Sequence, residues 1–167
     1  MTITEVDPTV PVANRVNVKL LRETLEWAHD QWHRWQRNEI SEWEQGDWMV
    51  PTAQRYWELS DEDFQALINE GAICGTSCCV AGKVAFDLGY RPTVGSLVAN
   101  PETGERELIS EVARKNLRIT EDEADDLFSG DNDIYDLYAL AHDWTYGEIA
   151  IPDDVRQYHF GSGEKTA

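Results

Sequence analysis

NVKLLRETLEWAHDQWHRW, residues 17–35, decides the architecture. Leu21, Leu25, Ala28, Trp32 and Trp35 recur in it at spacings of four, three, four and three, the interval at which side chains on a helix of 3.6 residues per turn return to one face. A long amphipathic helix is expected here. Working outward, a second helical piece is read over Ile40 to Trp48. Ser60-Asp61-Glu62-Asp63 has the polar, acidic character of a helix start before Phe64, Leu67 and Ile68, with Gly71 as its stop. Thr76 can cap a further helix through Val80, Val84 and Phe86, ended by Gly89.

The texture changes between Tyr90 and Ile109. Thr93 to Ala99 is rich in small and branched residues, and Asn100-Pro101-Glu102-Thr103-Gly104 is turn chemistry, so a small hairpin fits. Helical texture resumes over Glu107 to Leu117. Thr120-Glu121-Asp122-Glu123 matches a capping box before Ala124, Leu127 and Phe128, closed by Ser129-Gly130. Asp131 or Asn132 is then expected to cap a last helix, in which Ile134, Leu137, Tyr138, Ala141 and Trp144 fall at helical spacing. The fold class that results is mainly α, a compact bundle of about six helices with room for one small β-hairpin. Residues 1–13 read as an extended N-terminal arm, 14–159 as a single helical domain and 160–167 as a flexible tail.

Composition fits this plan. Of 167 residues, 41% are hydrophobic, including seven Trp, six Tyr and four Phe, more apolar material than a disordered chain carries. A domain of this size buries about 68–70% of its unfolded surface, enough for one real core. No apolar run approaches the roughly 20 residues of a membrane span, and Met1 to Val12 lacks the features of an export signal. Cys74, Cys78 and Cys79 are an odd number packed into six positions, which is no disulfide framework. Reduced thiols and a cytoplasmic location are expected.

Charge is the strongest functional signal. The formal net charge is −18, from 32 acids against 14 bases, a field that repels phosphate and anionic lipid and so argues against direct nucleic-acid or membrane binding. The same field favours a basic protein partner. Between Arg118 and Arg156 no Lys or Arg occurs, yet twelve carboxylates do. From these, Glu121, Asp122, Asp125, Asp126, Asp131, Asp133 and Asp136 are the candidate partner-binding residues, since carboxylates spaced three and four apart stack into rows on a helix. Asp131-Asn132-Asp133-Ile134-Tyr135-Asp136 resembles the start of a calcium loop, but Asp136 stands where Gly belongs and His142 where the closing Glu belongs. Helix capping accounts for these residues better.

Cys74-Gly75-Thr76-Ser77-Cys78-Cys79-Val80-Ala81-Gly82 is the most distinctive string. Thiols near a helix N-terminus are biased toward thiolate, which makes a cysteine-centred enzyme or redox protein, built on Cys79 with His142 and Asp143 as base and orienter, one alternative. The likeness to a papain-type Cys-Gly-Ser-Cys string is superficial, with one residue too many and no aromatic after the second cysteine. A zinc-stabilised helical module is the other alternative: His29 and His33, one turn apart, would join Cys74 and Cys78 or Cys79. The plainer account is a tight turn at Gly75, a Thr76 cap, and small side chains at Ala81 and Gly82 that let helices approach closely. His159, between Tyr158 and Phe160, has no evident role. Gly82, Gly89 and Gly95 lack the context of a phosphate loop. Neither a metal nor another cofactor is therefore expected.

The motif of Cys74, Gly75, Thr76, Cys79, Ala81 and Gly82, taken with Leu127-Phe128-Ser129-Gly130-Asp131-Asn132, resembles an uncharacterised small-protein family encoded by phages of actinobacteria and by some bacteria. The resemblance spans about Asn17 to Trp144. It departs at Lys83, where many members carry an aromatic residue or His, and at the additional Cys78. It implies a setting and transfers no catalytic residue. Charge and setting together lead to the expectation of a non-enzymatic phage accessory protein that binds a basic host or defence protein, with imitation of nucleic acid as one form.

Overall fold

The computed structural model describes residues 6–39, 80–92 and 97–161. The helices expected over 40–48 and 60–71, the cysteines and the turn at Gly75 lie outside the described residues.

After a 3-10 turn at Val12–Asn14, whose Val12 packs against the core, α1 runs from Val18 to Gln36. Asn17 caps it: its side chain accepts from the Leu20 N–H at 3.2 Å, while its own N–H donates to the Leu117 carbonyl, tying the helix start to a segment a hundred residues away. The buried stripe is Leu21, Thr24, Leu25, Ala28, Gln31 and Trp32. It stops one position before the periodicity does, because Trp35 is 37% exposed beside the helix end. The hydroxyl of Thr24, inside the stripe, is satisfied by the Leu20 carbonyl at 2.8 Å.

Helix α2, Val80–Asp87, buries six of its eight residues, Ala81 and Gly82 among them, and packs on α1. Its end is a Schellman motif: Tyr90 N–H bonds the Ala85 carbonyl, Gly89 N–H bonds that of Phe86, and Gly89 sits at φ +81°, the left-handed region open to glycine. Three short antiparallel strands follow, β1 (Arg91–Pro92), β2 (Leu97–Ala99) and β3 (Arg106–Leu108), in the order β1-β2-β3. The expected hairpin is β2–β3, in register Val98 with Glu107, and Asn100 Oδ1 organises its turn by accepting the N–H groups of Glu102 and Thr103. Pairing of 106–108 with β2 is why α3 begins at Ile109 rather than Glu107; it ends at Leu117 and packs across α2.

Helices α4 (Glu121–Leu127) and α5 (Ile134–Trp144) both begin in capping boxes, Thr120 with Glu123 and Asp133 with Asp136. The cap of α5 is thus Asp133, not Asp131 or Asn132. Asn132 has different work: its amide donates to the Asp126 and Leu127 carbonyls, closing α4. Nor is α5 the last helix, for α6 spans Asp153–Gly161 and carries Phe160 and Gly161, where a tail was expected. Leu21, Leu25, Ala28 and Trp32 of α1 share one core with Val84, Leu117, Leu127, Leu137 and Val155 from α2 to α6. The fold is mainly α, and among the described residues no helix is long and apolar enough to cross a membrane.

The end of α5 makes a local prediction. Gly147 N–H bonds the His142 carbonyl and Tyr146 N–H that of Asp143, another Schellman motif, but here the left-handed position is filled by Tyr146 at φ +49°. Its side chain is 80% exposed, so little packing is at stake. Tyr146→Gly is expected to stabilise the protein by about 0.5–1 kcal/mol, the relief of left-handed strain less the added freedom of the unfolded chain, measurable in a urea melt. Tyr146→Ala, with the Cβ retained, should not.

Candidate functional site

Of the twelve carboxylates between Arg118 and Arg156, Asp153 is exposed at the start of α6 and the other eleven divide in space into three groups. Five acids meet cations or histidines. Glu123 accepts two hydrogen bonds from the Arg15 guanidinium at 2.5 and 2.7 Å, Glu148 pairs with Arg22 at 3.0 Å, and Asp154 meets His29 and His33. Asp143 lies 3.4 Å from His142 and Asp133 lies 3.7 Å from His159. For Glu123, Glu148 and Asp154 the sequence-local lack of counterions does not carry over to space, because α1 and the turn before it deliver Arg15, Arg22, His29 and His33 across 108 to 126 residues. A second use is structural: Asp133 and Asp136 hold the box at the start of α5 and are half-buried.

The third group is bare. Ala124 and Leu127 turn α4 into the core, which leaves Glu121, Asp122, Asp125 and Asp126 exposed on its outer side, with Asp131 exposed in the turn that follows. None of these five has a cationic side chain within ion-pair distance among the described residues. Glu121 with Asp125 and Asp122 with Asp126 stand one turn apart as like-charge pairs, an arrangement that costs a helix a few tenths of a kcal/mol each.

A different cluster lies where α1 meets α6. His29 and His33 are one turn apart on α1, and both direct Nε2 at the same oxygen, Asp154 Oδ2, at 2.8 and 2.9 Å. Their rings are 4.5 Å apart. Buried Trp32, between them in sequence, stacks with His29 at 5.7 Å and lies tilted against His33 at 4.9 Å, and Tyr158 meets it edge-on at 5.2 Å. Tyr138 approaches His29 edge-on and donates its hydroxyl to the Leu25 carbonyl. Burial, then the nearby charges of Glu26 and Asp154, raise that hydroxyl far above its ordinary range, so it stays a donor. Burial also opposes ionisation of Asp154, but the hydrogen bond from His29, its charge and the backbone N–H groups at the start of α6 outweigh it and hold the carboxyl below its usual value. Among the described residues, His29, His33 and Asp154 form a group able to hold a metal ion.

The histidine pair therefore meets a carboxylate, while the cysteines expected to face it lie outside the described residues. Sequence reasoning placed Asp154 in the acidic interval and missed its partnership. The usable signal was the pair of histidines four apart on a helix; nothing local joins residue 29 to residue 154. His142 and Asp143 touch, but Asp143 is exposed, which is not the buried orienter that an acid–base pair requires. His159 stacks on Tyr135 at 3.9 Å, with Phe160 edge-on to both, in an aromatic group at the end of α6. Comparisons with protein-family models, with curated proteins and with solved structures give no match.

Proposed function

We propose that the chain is a non-enzymatic, phage-encoded accessory protein that binds a basic host or defence protein through the outer side of α4 and the turn after it. The cysteine motif supports the setting. The bare carboxylates support the binding: a chain that brings Arg15 and Arg22 across the fold to neutralise Glu123 and Glu148 leaves Glu121, Asp122, Asp125, Asp126 and Asp131 without a cation among the described residues. Maintained self-repulsion on one helix face has a use when something positive complements it.

Imitation of nucleic acid is the specific form. Residues 121 to 126 span about 7.5 Å of helix axis and present four exposed carboxylates. A DNA duplex presents about one negative charge per 1.7 Å, hence four to five over the same length. The test is displacement of labelled duplex DNA from basic DNA-binding proteins at low and physiological salt. The wild-type chain is expected to displace DNA, and Asp125→Lys/Asp126→Lys to do so at least about tenfold more weakly, with unchanged circular dichroism. Glu102→Lys/Glu105→Lys makes the same change in net charge at the exposed hairpin turn and should behave as wild type. Equal losses in the two double variants would reduce the effect to bulk charge, and no displacement by the wild type would dismiss the reading.

A further inference from the structure

We propose that His29, His33 and Asp154 bind a divalent first-row transition ion, zinc foremost, with at least one coordination position left to water. The donors are of the right kind: two imidazoles and one carboxylate suit zinc and its neighbours, and three protein ligands with a water in the fourth position complete a coordination that zinc accepts. The spacing is close to what an ion needs. Bonds of about 2.0–2.2 Å around a tetrahedral ion separate ligand atoms by about 3.3 Å. Here His29 Nε2 and His33 Nε2 lie 2.8 and 2.9 Å from Asp154 Oδ2, and the three ligand atoms lie within 4.8 Å of one another. An opening of about half an ångström, within reach of side-chain rotation, admits the ion.

The surroundings favour binding. Trp32 contacts both rings and is itself held in the core, so the imidazoles lose little freedom on coordination. The cluster also faces solvent, with side-chain exposures of 21% for His29, 36% for His33 and 43% for Asp154, which gives an ion a way in and a water ligand a place to stand. Asp30 and Asp153, adjacent in sequence to cluster residues, are exposed acids that add to an attractive field on a chain of net charge −18. Because α1 and α6 each supply ligands, the ion would tie the start of the bundle to its end and stabilise the folded state by mass action.

The experiment is equilibrium dialysis of the full, chelator-stripped chain against zinc chloride, with thermal melts in the presence and absence of zinc. One zinc per chain and a higher Tm with zinc are expected. His33→Ala and Asp154→Asn should each bind at least about tenfold more weakly and lose the zinc-dependent rise in Tm, while keeping the wild-type circular dichroism without metal. The Cys74→Ser/Cys78→Ser/Cys79→Ser variant should retain the zinc. Should it fail to fold, the cobalt-loaded wild type serves instead: absence of thiolate-to-cobalt absorption supports the site, and its presence overturns it. Wild-type affinity equal to that of His33→Ala, or zinc lost with the cysteines, also overturns it and leaves Asp154 as a hydrogen-bonded tie between two helices. Asp125→Lys/Asp126→Lys should bind zinc normally, so this proposal and the acidic-face reading fail separately.

Discussion

Trp32→Ala is expected to lower the unfolding free energy by about 3–5 kcal/mol and Tm by roughly 10 °C for a chain of this size, whereas Trp35→Ala, which removes a partly covered indole and leaves no closed cavity, should cost about 1–2 kcal/mol. Both residues lie on the same periodic stripe of α1, and only the structure separates them. Trp32 is buried with Leu25 and Ala28 behind it and touches His29, His33 and Tyr158; Trp35 is over a third exposed. Removing an indole from a packed site costs its transfer from water, the cavity that remains and the edge and stacking contacts of its ring. Thermal and urea melts followed by circular dichroism give both numbers. Trp32→Phe, which retains an aromatic ring, should fall between them. Similar losses at positions 32 and 35 would show that the buried stripe continues to the helix end and that the His29–His33 wall rests on less than one indole.

That contrast shows what sequence can and cannot carry. The core face of α1 was legible because burial imposes a period of 3.6 residues, and the limit of the stripe was not, because it depends on where the other helices end. The box at Thr120 was legible since its residues lie three apart and satisfy each other. The start of α5 was not: Asp131, Asn132 and Asp133 are all competent caps, and the choice falls to Asp133 because Asn132 is occupied with the carbonyls of α4. Helix α6 escaped notice for a related reason. Only Val155 of its nine residues is buried, so it has no apolar stripe to read.

The candidate sites follow the same division. Exposure of Glu121, Asp122, Asp125 and Asp126 could be anticipated from charge and helical phase, because Ala124 and Leu127 define the inner side of α4. Withdrawal of Glu123, Glu148 and Asp154 from the acidic surface could not, since their partners are more than a hundred residues away. The His29–His33–Asp154 cluster is entirely of this second kind. It exists because α6, weakly patterned in itself, docks its first turn against the outer edge of α1.

The long-range pairing of Arg15 with Glu123 is the next most consequential contact. Arg15 is 11% exposed and Glu123 20% in their side chains, and the guanidinium also donates to the Val10 and Arg118 carbonyls, so it closes the N-terminal turn onto the loop between α3 and α4. Arg15→Ala is expected to cost about 2–3 kcal/mol, more than an exposed pair such as Arg22–Glu148 would, because it strands a partly buried carboxylate and two carbonyls. The loss should depend on pH. Burial pushes the Glu123 carboxyl up, but hydrogen bonds from Arg15 and from the Thr120 N–H and hydroxyl more than offset it, leaving the folded-state value below the ordinary one. A lowered carboxylate contributes stability that is fully present above the unfolded-chain value of about 4.3 and is lost as pH falls through the folded-state value. The difference between wild type and Arg15→Ala, measured in urea from pH 7 to pH 2.5, should therefore be constant above about pH 5 and narrow in acid. The other lowered carboxyls, Glu39, Glu111 and Asp154, are present in both proteins and cancel; Asp7, lowered chiefly by its hydrogen bonds from Thr9 and least by Arg15, cancels except for that last, solvent-screened contribution. A gap that stays constant to pH 2.5 would assign the loss to the carbonyl contacts of Arg15 and remove the ion pair as the link between the N-terminal turn and the acidic helix.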